Sequence, residues 1–384
     1  MVRERVTELD HAADEQVVET DGEITSATML LYFLYEISDA VDLQRVEHLL
    51  PPDTFKTRSA FKHGAASYFQ LQNPPVVIIG EPLVWRGSYS FQTRIKFYDY
   101  GVVSVTLQAP FAGSWRRFIE SSAELMDNSD LKAGVTQLLE RWLDPLRPAL
   151  IKPAAGLTVE EYAVFTVHKL TQKFTGQELA ERRAPTVAQL LRGERAVLSD
   201  METSEVMSGF LSYHPSDLLV VSWNAAFIFD CPACMEAFAE VLEFANSQLL
   251  EFRYYDQVLD AELATVYNEM QSGRTTARLL RSYRYRKTAR RLSALFLDIS
   301  ELTEKSENSL KFFGDLFASR IYRLAAQKLG LNEWKTLVDG KLHSAESLYR
   351  SLIDEVSTLQ MQFMELTIVL ILFYELFISI RKGM

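Results

Sequence analysis

The last fifty residues carry the feature that most constrains this chain, an apolar series whose spacings alternate between four and three residues. Up to about Glu365 the positions between these residues are polar, and beyond it nearly every residue is apolar. A heptad helix able to self-associate therefore continues into a hydrophobic tail. The series consists of Val338, Leu342, Ala345, Tyr349, Leu352, Val356, Leu359, Phe363, Leu366, Leu370, Phe373, Phe377 and Ile380.

The tail predicts a C-terminal membrane anchor. Residues 363–380 would form a helix of about 27 Å, just short of a hydrocarbon core. Glu375 would lie inside the membrane, where a charge is costly and needs a proton or a partner in an oligomer. The alternative is a buried C-terminal helix in a soluble oligomeric helical scaffold. The predicted membrane residues are Leu366, Ile371, Phe373, Glu375 and Phe377.

Two signals conflict on the orientation of this anchor. Arg381 and Lys382 follow the span, and the positive-inside rule would place them inside. The N-terminal segment, however, has no apolar core that could act as an export signal. We therefore expect a single-pass protein with the bulk of the chain on the cytoplasmic (or matrix) side.

Composition limits the remaining classes of function. A formal net charge of -11 disfavours nucleic acid as the default partner. Two cysteines indicate a reducing compartment. Residues 1–24 are acidic and lack aromatic residues, which is typical of a disordered leader.

The middle of the chain predicts an α+β head. β-Branched segments punctuated by glycine indicate strands at about 75–80, 88–98 and 101–108, and helical periodicity follows at 115–126 and 131–146. The pattern then restarts with a strand at 162–167. We expect two ferredoxin-like units, 25–150 and 151–230, which would make the head a duplication. A helix from Asp39 to Leu50 is also expected, because Pro51 would end it.

From residue 231 onward the sequence is helical in character. Helices are predicted at 231–271, 275–303, 306–329 and 332–380. The first carries its own heptad series, so the two long helices predict an extended antiparallel stalk. The predicted divisions are the stalk (231–331), the heptad helix (332–362) and the membrane anchor (363–384).

Cys231 and Cys234 form the sharpest chemical motif, a C-x-x-C pair between an apolar strand and a helix. A helix N-terminus stabilises thiolate, so the pair could act as a thiol–disulfide oxidoreductase. Against this, no proline follows Pro232, whereas a thioredoxin fold needs a cis-proline beside its dithiol. The other interpretation is helix capping, with Asp230 as the N-cap and Pro232 in the first turn.

Residues 274–291 hold eight basic residues, two tyrosines and no acidic residue. Such a segment suits anionic lipid headgroups, or RNA or a ribosome. It can equally be a solvated helix that pairs with Glu251, Asp256 or Asp260. The predicted basic surface is Arg278, Arg281, Arg284, Arg286, Lys287, Arg290 and Arg291.

Asp256 occupies a heptad position of the first long helix, where a charge usually has a partner. Arg253 is the local candidate, and we predict a polar latch between helices in preference to a catalytic acid. The six histidines show no metal-ligand spacing, and the sequence has no phosphate-binding glycine loop or nucleophile motif. We expect no cofactor and no metal.

Three segments resemble the required-for-meiotic-nuclear-division (YagE-type) family: Leu30–Leu50, Phe97–Val103 (FYDYGVV) and the apolar tail from Glu365 to Ile380. The resemblance implies a membrane-anchored protein without an established catalytic site, whose mitochondrial member supports organellar translation at the inner membrane. It carries over no catalytic residue.

Together these signals predict a non-enzymatic, tail-anchored protein that acts as an oligomeric scaffold or recruitment factor linked to translation at a membrane. Its expected partners are membrane lipid, a second copy of the chain, and a protein or ribosome bound through the basic helix. The alternative is a membrane-tethered thiol oxidoreductase that uses Cys231 and Cys234.

Overall fold

The computed structural model describes residues 23–51, 54, 56–58, 73–230, 232–272, nine helical positions between 287 and 300, and 316–382. The predicted leader therefore lies outside the described residues, except for Glu23 and Ile24, the latter being the first residue of a strand. Of the predicted helix 275–303, the described positions are helical.

Ten strands form one mixed sheet. They are β1 (Ile24–Val41), β2 (Lys56–Arg58), β3 (Val76–Ile79), β4 (Leu83–Trp85), β5 (Tyr89–Phe97), β6 (Val102–Gly113), β7 (Leu150–Leu170), β8 (Phe210–Leu211), β9 (Leu218–Val221) and β10 (Ala225–Phe229).

Helices cover both faces of this sheet. They are α1 (Leu43–Leu49), α2 (Trp115–Leu125), α3 (Ser129–Leu146), α4 (Gly176–Arg182), α5 (Ala184–Arg192), α6 (Asp200–Met207), α7 (Pro232–Ser272), α8 (Leu316–Lys328) and α9 (Leu331–Lys382). The α+β class is confirmed.

The strand order is β2-β3-β5-β6-β1-β7-β10-β9-β8, with β4 paired to β5. β1 pairs antiparallel with both β6 and β7, so the two predicted units share one continuous sheet. The stretch β5-β6-β1-β7, antiparallel throughout, has the ferredoxin-like order expected for the first unit, although its fourth strand, β7, lies in residues assigned to the second unit. The second unit does not repeat this arrangement. The two halves differ in strand direction: β6 is antiparallel to β1 in the first half, whereas β10 is parallel to β7 in the second.

The alternation of side chains along the strands produces two separate cores. On one face, Phe33, Phe165 and Phe227 pack against α1 to α6. On the other, Leu34, Val164 and Ile228 pack against α7, α8 and α9. The molecule is therefore a three-layer structure with the sheet in the middle.

The predicted helix from Asp39 begins later than expected. β1 continues to Val41, because its last residues pair with the start of β7. Asp42 then caps α1, and its Oδ1 accepts a hydrogen bond from the Arg45 amide at 3.0 Å. β7 is also longer than the predicted strand at 162–167, because its first half contains Pro153 and Gly156, which interrupt the apolar pattern that marks a strand.

The two long helices run in the same direction, which corrects the predicted antiparallel stalk. The Arg253 guanidinium of α7 lies over the Trp334 ring of α9, and Asp260 of α7 bonds Lys341 of α9 at 2.7 Å. The contacting residue numbers therefore increase together along both helices. Helix α8 follows the same course, since Phe238 meets Phe317 and Phe244 meets Tyr322.

We expect Phe165→Ala in the central strand β7 to lower the free energy of unfolding by about 3–5 kcal/mol. Phe165 is fully buried, and its ring packs edge-on against Phe118 at 5.6 Å. Denaturant unfolding of the full chain in mild detergent measures this loss. Val197→Ala is the control, because Val197 is 81% exposed. An equal loss in both variants would contradict the placement of the core.

Candidate functional site: a polar groove between the sheet and helix α7

The face of the sheet beneath α7 is unusually polar for an interface between layers. Buried polar or charged side chains come from both sides of this interface. On the sheet they are Glu36, Lys96, Ser104, Thr106 and Thr166, and on α7 they are Glu243, Asn246, Ser247, Gln248 and Glu251. Helix α7 is therefore attached to the sheet through specific polar pairs as well as apolar contacts.

Lys96 on β5 is the central cation of this interface. Its Nζ lies 2.6 Å from Glu243 Oε2 and 3.7 Å from Glu240 Oε1. Burial alone would lower the pKa of Lys96, but the two carboxylates outweigh it and the pKa is raised. Burial also raises the pKa of Glu240; Lys96 opposes this rise, while Glu243 and Glu236 add to it.

The next turns of α7 make further polar contacts with the sheet and with α8. The Tyr100 hydroxyl lies 2.9 Å from Ser247 Oγ, and Tyr322 of α8 hydrogen-bonds to Gln248. Glu36 on β1 is buried, and burial raises its pKa well above the ordinary range, with Glu251 and Asp39 adding to the rise.

At the N-terminal end of α7 this interface opens into a groove of about 270 Å³. Its floor consists of side chains from β1, β5, β6 and β7, and its wall is the first four turns of α7. The residues that line it are Thr28, Leu30, Tyr32, Arg94, Thr106, Gln108, Thr166, His168, Met235, Glu236, Ala239, Glu240 and Glu243.

His168 lies in the floor, half-buried at the end of β7. Its Nε2 is 2.9 Å from Thr28 Oγ1 and 3.4 Å from Thr166 Oγ1. Its buried Nδ1 has no hydrogen-bond partner among the described residues. Burial lowers the pKa of His168, so the neutral imidazole is favoured. A neutral ring can offer either a donor or an acceptor at Nδ1.

The two predicted latch residues are engaged, but not with each other. Arg253 pairs with Glu160 of β7, and Asp256 bonds Lys341 of α9 at 2.6 Å. Asp256 thus joins two helices, while Arg253 joins α7 to the sheet.

The predicted dithiol lies only partly within the described residues. Cys231 lies outside the described residues, and Cys234 is half-buried in the first turn of α7. For a metal, no suitable group of three or more His, Cys, Asp or Glu residues occurs in the part of the chain that the structure describes.

The predicted basic surface is described only in part. Lys287, Arg290 and Arg291 are exposed helical residues, and Arg291 lies 3.8 Å from Glu262 of α7. Among the described basic residues, Arg291 therefore pairs with an acidic residue of α7, Glu262. Arg278, Arg281, Arg284 and Arg286 lie outside the described residues.

The C-terminal seam divides into two parts. Val338, Leu342 and Ala345 are buried in the core formed with α7 and α8, so these positions pack within the chain. From Met361 to Arg381 the helix has a mean hydropathy of 2.1, and none of its described side chains is buried. It is long and apolar enough to span a membrane, and it includes Leu366, Ile371, Phe373, Glu375 and Phe377.

The sequence analysis missed the groove. Its carboxylates do have a sequence signal, since Glu236, Glu240 and Glu243 share one face of α7 at spacings of four and three. The alternation in β5 likewise places Arg94 and Lys96 on one face of the sheet. What the sequence lacks is the pairing that brings β5 beneath α7.

We expect Lys96→Met to lower the free energy of unfolding by about 3–5 kcal/mol, because Glu243 would remain buried without its cation. The double variant Lys96→Met/Glu243→Leu should recover most of this loss. Denaturant unfolding of both variants measures the difference. Arg116→Met is the matched control, because its pair with Glu120 is exposed and should change stability by only about 0.5 kcal/mol. A double variant less stable than Lys96→Met would contradict the assignment.

Glu36 should make stability depend on pH. A carboxyl whose pKa is raised by folding stabilises the protein fully below its unfolded value of about 4.3, and this contribution is lost as the pH rises through the folded value. Glu36→Gln should therefore raise the Tm more at pH 8 than at pH 5. Glu81→Gln, at an exposed position, is the control. Equal shifts at both pH values would show that Glu36 does not titrate in this way.

A family model described as "Uncharacterized protein MJ0711, N-terminal domain" matches residues 26–236. The match covers more than half of the chain, from β1 to the first turn of α7, and includes most of the groove. The chain therefore belongs to this family. No curated protein and no solved structure matches it.

Proposed function

We propose that this member of the MJ0711 N-terminal-domain family is a tail-anchored membrane protein that acts as a non-enzymatic recruitment factor. The segment 361–381 would cross the bilayer, and α7 and α9 would hold the α+β head away from its surface. The observation that carries the proposal is that none of the described side chains in this apolar helix is buried.

The amount of apolar surface exposed on the tail indicates that water is not its surroundings in the native protein. Thirteen large apolar side chains of the tail, from Met361 to Ile380, are 41–66% exposed. At about 1.5–3 kcal/mol for each fully buried side chain, this exposure costs on the order of 10–20 kcal/mol in water. A typical domain is stable by only about 5–15 kcal/mol. A lipid bilayer is the simplest medium that could cover these side chains, because the helix length of about 30 Å matches the thickness of a hydrocarbon core.

Self-association is proposed for the tail alone. The first part of the seam packs against α7, so a second copy of the chain would use the positions from Phe363 to Ile380. Such a contact would also offer Glu375 a partner within the membrane. The head and stalk would face the cytoplasm or matrix, where a partner such as the translation machinery could be recruited.

For the head we propose binding, not catalysis. The ionisable groups beneath α7 are engaged mainly with one another, as in Lys96 with Glu243 and Arg253 with Glu160. Such pairs position helices and shape a recognition surface.

Deletion of residues 361–384 should move the protein from the membrane pellet to the supernatant after alkaline carbonate washing. The full chain should stay in the pellet, because the apolar helix is its anchor. Deletion of residues 1–22 is the control of similar length and should leave the protein in the pellet. Release of the full chain by carbonate would refute the anchor. In sealed vesicles, digestion of the head from the non-cytoplasmic face would refute the orientation.

A further inference from the structure

We propose that the groove beneath the N-terminal end of α7 binds a small organic cation that carries an ammonium or guanidinium group. This inference goes beyond the proposed membrane anchor, because it concerns residues of the sheet and of the N-terminal end of α7, whereas the anchor is the C-terminal part of α9. It rests on the charge balance of the groove, on an unsatisfied buried acceptor, and on the groove's size and position.

The charge balance of the groove is negative. Among the described residues, Glu236, Glu240 and Glu243 are paired with two cations, Arg94 and Lys96. Lys96 is held closely by Glu243, and Arg94 reaches Glu236 at 3.7 Å. Lys96 therefore lies farther from Glu240 than from Glu243, and the Glu240 side chain is only 15% exposed. A further cation in the groove would offset this charge in a partly desolvated setting.

A buried acceptor points to the same ligand chemistry. Glu243 is 2% exposed and lines the groove, and its Oε1 has no hydrogen-bond partner among the described residues. Leaving a buried carboxylate oxygen unsatisfied is costly, and a charged N–H donor is its strongest partner. Glu240 lies one turn away on the same face of α7, so one nitrogen could serve both side chains.

The floor of the groove can hold the other end of such a ligand. His168 Nδ1 is buried and unpartnered among the described residues, and the hydroxyls of Thr106 and Thr166 and the amide of Gln108 line the same space. These groups can both donate and accept hydrogen bonds. A volume of about 270 Å³ suits a small molecule, because it lies near the lower limit of ligand pockets.

Two other cations fit less well. A metal ion would need several ligating side chains, and the described residues provide no suitable group of three. A lipid headgroup would lie too far away. From Glu240 to Asp260 the helix rises about 30 Å, and from Lys341, which bonds Asp260, to Met361 it rises about 30 Å more. The groove therefore lies about 60 Å along the stalk from the proposed membrane surface, and its ligand comes from water.

The test uses cadaverine and agmatine as probes with the full chain in detergent, measured by isothermal titration calorimetry. We expect saturable binding of at least one probe, and Glu240→Gln should weaken it about tenfold or more, because a charge-assisted hydrogen bond is lost. Glu240→Gln should fold normally, since Glu243 remains the close partner of Lys96. Its melting curve without a probe checks this directly.

Glu120→Gln is the matched control, because it makes the same change of charge on α2, across the sheet from the groove. It should bind the probes as the unaltered chain does. Three outcomes would overturn the proposal: no binding of either probe up to about 10 mM, equal weakening by both substitutions, or unchanged binding in Glu240→Gln. Binding of a lysine-rich peptide without binding of either probe would also overturn it and would indicate a protein ligand.

Discussion

The antiparallel pairing of β1 with both β6 and β7 is the interaction on which the rest of the structure depends. β1 is 18 residues long and lies in the middle of the sheet, so it joins strands from both halves of the chain. Its alternation supplies both cores, with Phe33 facing one layer and Leu34 the other. The helices α1 to α6 pack in the core on one face of this sheet, and α7 to α9 contribute to the core on the other. The matched region begins near the start of β1 and ends just after α7 begins, so it includes the entire sheet apart from the first residues of β1.

The layer beneath α7 shows how specificity can be obtained at some cost in stability. Buried pairs such as Lys96 with Glu243 rarely stabilise a fold more than apolar residues of similar volume would. They do fix position, because a shift of one residue along α7 would leave several charges buried and unpaired. The same rigidity places three carboxylates at the groove, so the attachment of the helix and the chemistry of the groove share residues.

The sequence predicted the elements that depend on local pattern. The strands near Val76 and Val102, the helices α2 and α3, and the two long helices follow from alternation, heptads and proline or glycine punctuation. It did not predict features that depend on distant pairing. The first half of β7, which contains Pro153 and Gly156, is a strand because β1 lies beside it, and the groove exists because β5 and α7 meet. The direction of α9 relative to α7 is likewise set by contacts such as Asp260 with Lys341, which no local pattern encodes.

Helix α9 is unbroken from Leu331 to Lys382, and this continuity links the rotational setting of the head to that of the tail. Ala345 faces the core of the stalk, and Glu375 follows it by 30 residues. At about 100° per residue, Glu375 points about 120° away from the side of α9 that Ala345 marks. If the tail pairs with a second copy in the bilayer, the face of the tail that forms the contact determines how both heads are rotated about the helix axis. The arrangement of two such proteins above a membrane would then be encoded by residue count along a single helix.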